Sequence, residues 1–507
     1  MKRVKLENDM SSKQQMKWQD LAASLRLDGR MWIAGEKTVA RREETFDCIS
    51  PIDGKVLCQV ARGRAEDVDL AVSVARSVFE KKRWAGQPPS ARKKVMQRWS
   101  ELLLEHRDEL ALLETLDMGK PINNSLVFDV PGAAHCLAWY GEAIDKMYDE
   151  IAPTAKSALA MIRREPVGVV GAIVPWNYPM MLSAWKLGPA IAAGNSVVLK
   201  PSERSPLTAL RLAELAALAG IPAGVLNIVP GYGTEAGEAL AMHPGVDAIA
   251  FTGSTVTGRR IIECSSKSNL KRVHNELGGK SANIVFADCS DLDRAAKVAA
   301  YSIFFNQGES CNAPSRLLLE EDIADLFIEK LLKEVPKYAP GHPLGNTAMG
   351  ALVDERHLEM VLGYIERGIS AGATCLTGGR RALEETGGCY LEPTIFDRVD
   401  NSMELAQKEI FGPVLSIIRF KGEEQAVQVA NHSSYGLHAG VWSDDLNKAL
   451  RVAGKLQAGT IHVNSYNDDD MTVPFGGYKQ SGNGRDKSLH AFDNYTELKT
   501  IWVGLKQ

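Results

Sequence analysis

Three things are missing from this chain: an excess of positive charge, paired cysteines, and long apolar runs. Each absence closes off a class of function. Lysine and arginine number 59 against 63 aspartates and glutamates, a net charge of −4. Little basic surface is left to neutralise phosphates, so no nucleic-acid partner is expected. Eight cysteines, at 48, 58, 136, 264, 289, 311, 375 and 389, include no Cys-x-x-Cys pair and no zinc spacing against the ten histidines. No metal site is expected, and scattered thiols suit a reducing compartment. No stretch reaches the roughly 18 uncharged apolar residues that cross a bilayer. The segment Met1–Asp9 also lacks the apolar core of a signal peptide. The expectation is a cytoplasmic protein with no membrane partner.

What is present is an ordinary globular composition, 45% apolar and 24% charged. At 507 residues the chain exceeds one compact core, and two or three domains are expected. Met31–Glu36 and Glu44–Cys48 read as short strands of an outer layer, and Ala65–Leu116 carries apolar residues at helical spacing. From Val167 to Glu276 short apolar runs alternate with helical windows: strands at Val167–Val174, Ser196–Lys200, Val225–Val229 and Ala248–Phe251, with helices between and after them. That alternation predicts parallel strands with helices on both faces, and ligands outside the carboxyl ends of the strands. A second alternating series runs from Ala282 to about Asn464. Gly378–Gly388 reads as an exposed loop or hairpin. The final segment Thr496–Val503 reads as an exposed strand whose open edge a second subunit would cover.

One polar run interrupts the second series: Asn306-Gln-Gly-Glu-Ser-Cys311-Asn-Ala-Pro-Ser315. A cysteine kept for packing sits among apolar neighbours. Cys311 instead has a glycine and polar residues around it, the context of a reactive thiol. Unusual residues also mark three strand ends: Pro175-Trp-Asn-Tyr-Pro179, Lys200-Pro-Ser-Glu203 and Thr252-Gly-Ser-Thr255.

These runs, with Glu276-Leu-Gly-Gly-Lys280, Glu409-Ile-Phe-Gly-Pro413 and Pro474-Phe-Gly-Gly-Tyr478, together resemble the NAD(P)-dependent aldehyde dehydrogenase superfamily over about 28–503. The resemblance implies two doubly wound parallel-sheet α/β domains and a small β oligomerisation element. The dinucleotide-binding domain would be 1–149 with 166–278, the catalytic domain 279–489, and the oligomerisation element 150–165 with 490–507. Homodimers or homotetramers would follow. The stretch Asn467–Asp486 further resembles bacterial dehydrogenases of gamma-glutamyl-gamma-aminobutyraldehyde, enzymes of putrescine breakdown.

The resemblance also implies roles. Cys311 would be the nucleophile that adds to the aldehyde and splits one hard step into two. The Asn177 amide and the Cys311 N–H would hold the developing alkoxide. Glu276 would be the base that activates water against the thioester. For the cofactor, Gly253, Ser254 and Gly258 open a helix after a strand, where backbone N–H groups can face a pyrophosphate. Lys200 and Glu203 would hold the adenine ribose; a carboxylate there favours NAD, with NADP admitted if it swings aside. Trp176, Gly231, Glu409 and Phe411 complete the implied cofactor set. Tyr178 and Trp185 would line the aldehyde channel.

Two features depart from the family pattern. Glu309 stands where glutamine is usual, and a carboxylate there would raise the Cys311 pKa. The run Asn467–Asp470 is acidic for a channel mouth, and Asp468 and Asp470 are candidates to attract an ammonium-bearing, polyamine-derived aldehyde. Competing readings are a broad-specificity dehydrogenase of aliphatic, aromatic or hydroxy-aldehydes, a non-catalytic scaffold on the same fold, and a cofactor-free thiol hydrolase.

Overall fold

Apolar strands joined through helices by short links pair in parallel, since a hairpin connection would demand a two-residue turn. The computed structural model, which describes residues 15–506, follows that rule twice. In the first sheet, Arg272–Glu276, Ala248–Thr252, Val169–Ile173, Ser196–Lys200 and Leu226–Ile228 lie side by side in parallel. The chain starts at the central strand Val169–Ile173, winds outward to one side, then returns to the other. The sheet order therefore reverses between Val169–Ile173 and Ala248–Thr252, where a crevice opens beyond the strand ends. Helix Pro179–Ala193 and its neighbours Pro89–Glu105, Val130–Ala143 and Leu207–Ala219 pack into one apolar core on this sheet.

The second sheet runs Thr374–Thr377, Thr394–Asp397, Val414–Phe420, Arg316–Glu320, Ala282–Val285, His438–Trp442, Thr460–Val463, with only the first strand antiparallel. Separate cores cover its two faces.

Several expectations need amending. Met31–Ile33 and Glu36–Thr38 form a hairpin that extends the first sheet through the Trp32–Ile228 pairing, rather than an outer layer. Met31 and Ile33 bury against that sheet's helices while the polar second strand closes its edge. Only Thr45–Ile49 stands apart, paired with Val56–Ala61. Strand Arg272–Glu276 was not apparent from sequence, because Arg-Val-His-Asn-Glu lacks an apolar run. Gly378–Gly388 does contain part of a hairpin, Arg381–Ala382 against Tyr390–Leu391.

The C-terminal strand Thr496–Gly504 finds its partner within the chain, pairing antiparallel with Ala158–Pro166, which also pairs Glu150–Ala152. Among the described residues its other edge has no partner strand, and Leu498 and Trp502 on this strand are 61% and 64% exposed. Just before it, Ala491, Phe492 and Tyr495 lie in the core packed on the first sheet.

Candidate active site

The nucleophile loop is shaped by three consecutive residues in left-handed backbone: Asn306 at φ 51°, Gln307 at 57° and Gly308 at 72°. Such conformations cost of order 1–3 kcal/mol for a residue with a side chain and persist only when neighbours hold them. Here the Asn306 amide donates to the carbonyls of Asn177 and Glu309, both at 3.1 Å. Gln307 donates to Ala351 O at 3.2 Å and accepts from Gly350 N at 3.2 Å. At Gly308 a β-carbon would run into the Gly412 carbonyl, so the position needs glycine for space as well as for φ.

This loop carries Cys311 to the crevice beside Asn177. The Asn177 amide donates to Glu309 O at 3.0 Å, which leaves its second N–H for another acceptor. The Tyr178 and Ser310 hydroxyls meet at 2.5 Å on the opposite flank. Cys311 opens onto a cleft that Tyr178, Trp185, His438 and Phe475 also line. Phe128 and Phe305, edge to face at 5.5 Å, form an apolar wall.

Glu276 ends the edge strand of the first sheet and is 1% exposed. The strip 481–484 clamps it: Leu277 N donates to Ser481 O at 3.0 Å, and the Ser481 hydroxyl donates to Gly278 O at 2.7 Å. Among the described residues neither carboxyl oxygen has a partner of good hydrogen-bond geometry. The Cys311 thiol lies near enough that each group alters the other's proton affinity. Burial, with the Asp486 and Glu409 carboxyls, pushes Glu276 up to about 8, against the opposing pull of Lys186. Lys186 itself is paired with Asp486 at 2.5 Å, both side chains buried. Burial first, then Glu276 and Glu409, hold the Cys311 thiol well above its ordinary value. The sulfur thus favours its protonated form, and the carboxyl beside it becomes a proton acceptor as it ionises.

Glu309 turns out not to place a charge by the sulfur. It is fully buried, accepts from Val353 N at 3.0 Å, and is pushed well above the carboxylate range chiefly by burial. His357, 3.7 Å away, directs its Nε2–H to Phe411 O at 2.7 Å. Glu309 is therefore a neutral acid, a stand-in for the amide that is usual there.

The implied cofactor residues gather along the carboxyl ends of the first sheet. Lys200, buried at its strand end, pairs with Glu203 at 3.1 Å. Ser254 caps helix Thr255–Lys267 by accepting from Thr257 N at 3.2 Å. Other first-turn N–H groups there have no intrahelical partner, which suits an anion. Gly253 precedes that cap, Gly258 packs on Leu277, and Gly231 adopts φ 157° beyond Leu226–Ile228. Trp176 meets Phe411 edge to face at 5.3 Å and lies under Arg204. Glu409 accepts from Gly279 N at 3.1 Å and is pushed up to about 7 by burial. A buried ammonium paired with a partly exposed carboxylate at one strand end, and a helix N-terminus following another strand of the same sheet, fit a dinucleotide's ribose and pyrophosphate.

The acidic run behaves differently from expectation. Asp468 lines the cleft, but Asp470 does not: it turns to Thr472, accepting from its N–H at 2.8 Å and its hydroxyl at 2.6 Å. The cleft-lining neighbour is instead Asp469, which pairs with the buried Lys487. His438, Lys186 and Asp486 went unread in the sequence. They come from distant elements, and only a lone histidine inside the apolar strand His438–Trp442 gave a signal. Among the described residues no group of three or more His, Cys, Asp or Glu is placed to hold a metal.

Comparison with known proteins agrees with this geometry. The profile of the aldehyde dehydrogenase family matches residues 38–501. The NADP/NAD-dependent aldehyde dehydrogenase PuuC of Escherichia coli is 55% identical over 490 residues, 96% of this chain and 98% of that protein. The aminoacetaldehyde dehydrogenase of Pseudomonas aeruginosa is 45% identical, covering 95% and 97%. Among solved structures, gamma-glutamyl-gamma-aminobutyraldehyde dehydrogenase from Burkholderia cenocepacia superimposes with TM-score 0.96 at 55% identity, covering 97% of this chain and all of that one. An indole-3-acetaldehyde dehydrogenase complexed with NAD+ superimposes equally well, at 55% identity and with 97% and 99% covered.

Proposed function

The chain belongs to the aldehyde dehydrogenase family, and from that premise we propose that it oxidises an amine-derived aldehyde to the acid with NAD, Cys311 being the nucleophile. The observation that carries this reading is the buried meeting of the Cys311 thiol with the unpartnered Glu276 carboxyl.

Glu276, once ionised, accepts the thiol proton, and the sulfur adds to the aldehyde carbon. The free N–H of Asn177 and the backbone N–H of Cys311 stabilise the alkoxide as its charge develops. Nicotinamide, when bound, supplies the acceptor for the hydrogen on that carbon and its electron pair. Collapse of the alkoxide leaves a thioester on Cys311. Glu276 passes that proton to solvent, then takes one from water as hydroxide adds to the thioester; the adduct collapses to the free acid, and the leaving sulfur recovers the proton that Glu276 holds. Lys200 and Glu203 would hold the adenine ribose, the start of Thr255–Lys267 the pyrophosphate, and Glu409 with Phe411 the nicotinamide end.

The substrate reading rests on relatives named for aminoacetaldehyde and gamma-glutamyl-gamma-aminobutyraldehyde. NAD is favoured over NADP because Glu203 would repel a 2′-phosphate, while a relative described as NADP/NAD-dependent supports use of both. Residues 150–165 with the open-edged C-terminal strand are proposed as the contact between subunits, on the strength of exposed Leu498 and Trp502. The catalytic half would be 279–489, the cofactor half 1–149 with 166–278, and the enzyme cytoplasmic.

The deciding experiment follows NADH absorbance with gamma-glutamyl-gamma-aminobutyraldehyde and NAD. Turnover is expected for the wild type and none for Cys311→Ala. Equal rates for the two would overturn the reading.

A further inference from the structure

His438 begins the buried strand His438–Trp442, is 6% exposed, and lines the same cleft as Cys311 and Trp185. Neither ring nitrogen has a hydrogen-bond partner among the described residues. Its contacts are ring faces and edges: Phe475 at 5.0 Å and His462 at 5.6 Å between centroids. A buried polar group left without partners is destabilising, so a core position would favour an apolar residue of similar size. Such orphans in a binding cleft have a partner when the ligand is present.

The chemistry of that partner can be narrowed. Burial, with His462 and Lys487 nearby, pushes the imidazole down to about 3, so the ring is neutral. A neutral imidazole offers one N–H donor and one bare nitrogen acceptor. A secondary amide presents the matching pair, one carbonyl and one N–H. A bare ammonium fits less well. It can use only the acceptor nitrogen, which leaves the ring N–H unpaired. An alkyl chain would leave both nitrogens unpaired.

We propose that His438 is a specificity residue that reads an amide group in the tail of the aldehyde, so that this chain selects N-acylated aminoaldehydes over alkyl aldehydes and over aldehydes bearing a free cationic nitrogen. The proposal rests on the aldehyde oxidation described above and adds the side chain that does the selecting.

Three probe aldehydes of similar length test it: 4-acetamidobutanal, heptanal and 4-(trimethylammonio)butanal. The wild type should show its highest kcat/KM with 4-acetamidobutanal. His438→Leu should lower that value by about ten- to hundredfold, mostly through KM, and leave heptanal unchanged or faster. His438→Gln, which retains one donor group and one acceptor, should keep part of the preference. Unaltered heptanal turnover certifies that the variants fold. A loss shared equally by 4-acetamidobutanal and heptanal, no loss with 4-acetamidobutanal, or a loss largest for the trimethylammonio probe would overturn the proposal. Wild-type enzyme that oxidises none of the three would overturn the dehydrogenase reading, and this one with it. Wild-type turnover with any of them leaves that reading standing whatever the His438 variants do.

Discussion

Two acid-bearing regions, one packed around Cys311 and one along the mouth of its cleft, behave in opposite ways. Around Cys311, single carboxyls at Glu276, Glu309 and Glu409 are buried and carry their protons to unusually high pH. Along 467–470, three consecutive aspartates stand closer to solvent and are largely spent on neighbours, Asp469 on Lys487 and Asp470 on Thr472. The denser charge is the less reactive region. Desolvation and lack of a partner, rather than the number of acids, create groups able to exchange protons near neutrality.

The contrast is broken most severely at the sulfur. Cys311→Ala should cut aldehyde-dependent NADH formation on the order of 10³-fold or more with the fold intact, as checked by steady-state rates and thermal melting. Glu276→Gln should slow turnover by about 10²–10⁴-fold, and rapid mixing should show whether acyl-enzyme accumulates behind it. In the wild type kcat should rise as pH climbs through about 8, because the active form of Glu276 is the carboxylate. That rise should vanish in Glu276→Gln.

On the acidic side, Asp469→Asn should cost about 1–2 kcal/mol of stability by leaving the Lys487 ammonium buried and unpaired, a value held down by the partial exposure of Asp469. Glu309→Gln should keep kcat within about threefold at neutral pH, since one neutral acceptor replaces another. Its stability should show a sign. A carboxyl raised in the folded state contributes stability at pH below its unfolded value near 4.5, and that contribution is lost as pH rises toward the folded value. Melting temperatures of the glutamine variant should therefore gain on the wild type from pH 5 upward. Asp470→Asn should change kcat/KM by less than about twofold, its side chain facing Thr472 rather than the cleft.

How much of this was legible beforehand depended on whether a residue's role is local. Cys311, Glu276 and Asn177 stand in short runs that carry their chemistry with them, and the alternation between 167 and 276 announces its parallel sheet. Strand Arg272–Glu276 escaped notice because an edge strand needs few apolar residues. Asp470 and Asp469 could not be told apart because the partners that distinguish them, Thr472 and Lys487, are set by a turn and by tertiary packing. The neutrality of Glu309 was equally hidden, since burial is a property of everything packed around a side chain.

Phe492 and Tyr495 complete a core otherwise built mainly before residue 230. A ribosome must therefore carry synthesis past Tyr495 before the first half can close. Until then, its nascent helices wait with an apolar seam uncovered, and chaperone demand during synthesis should peak late.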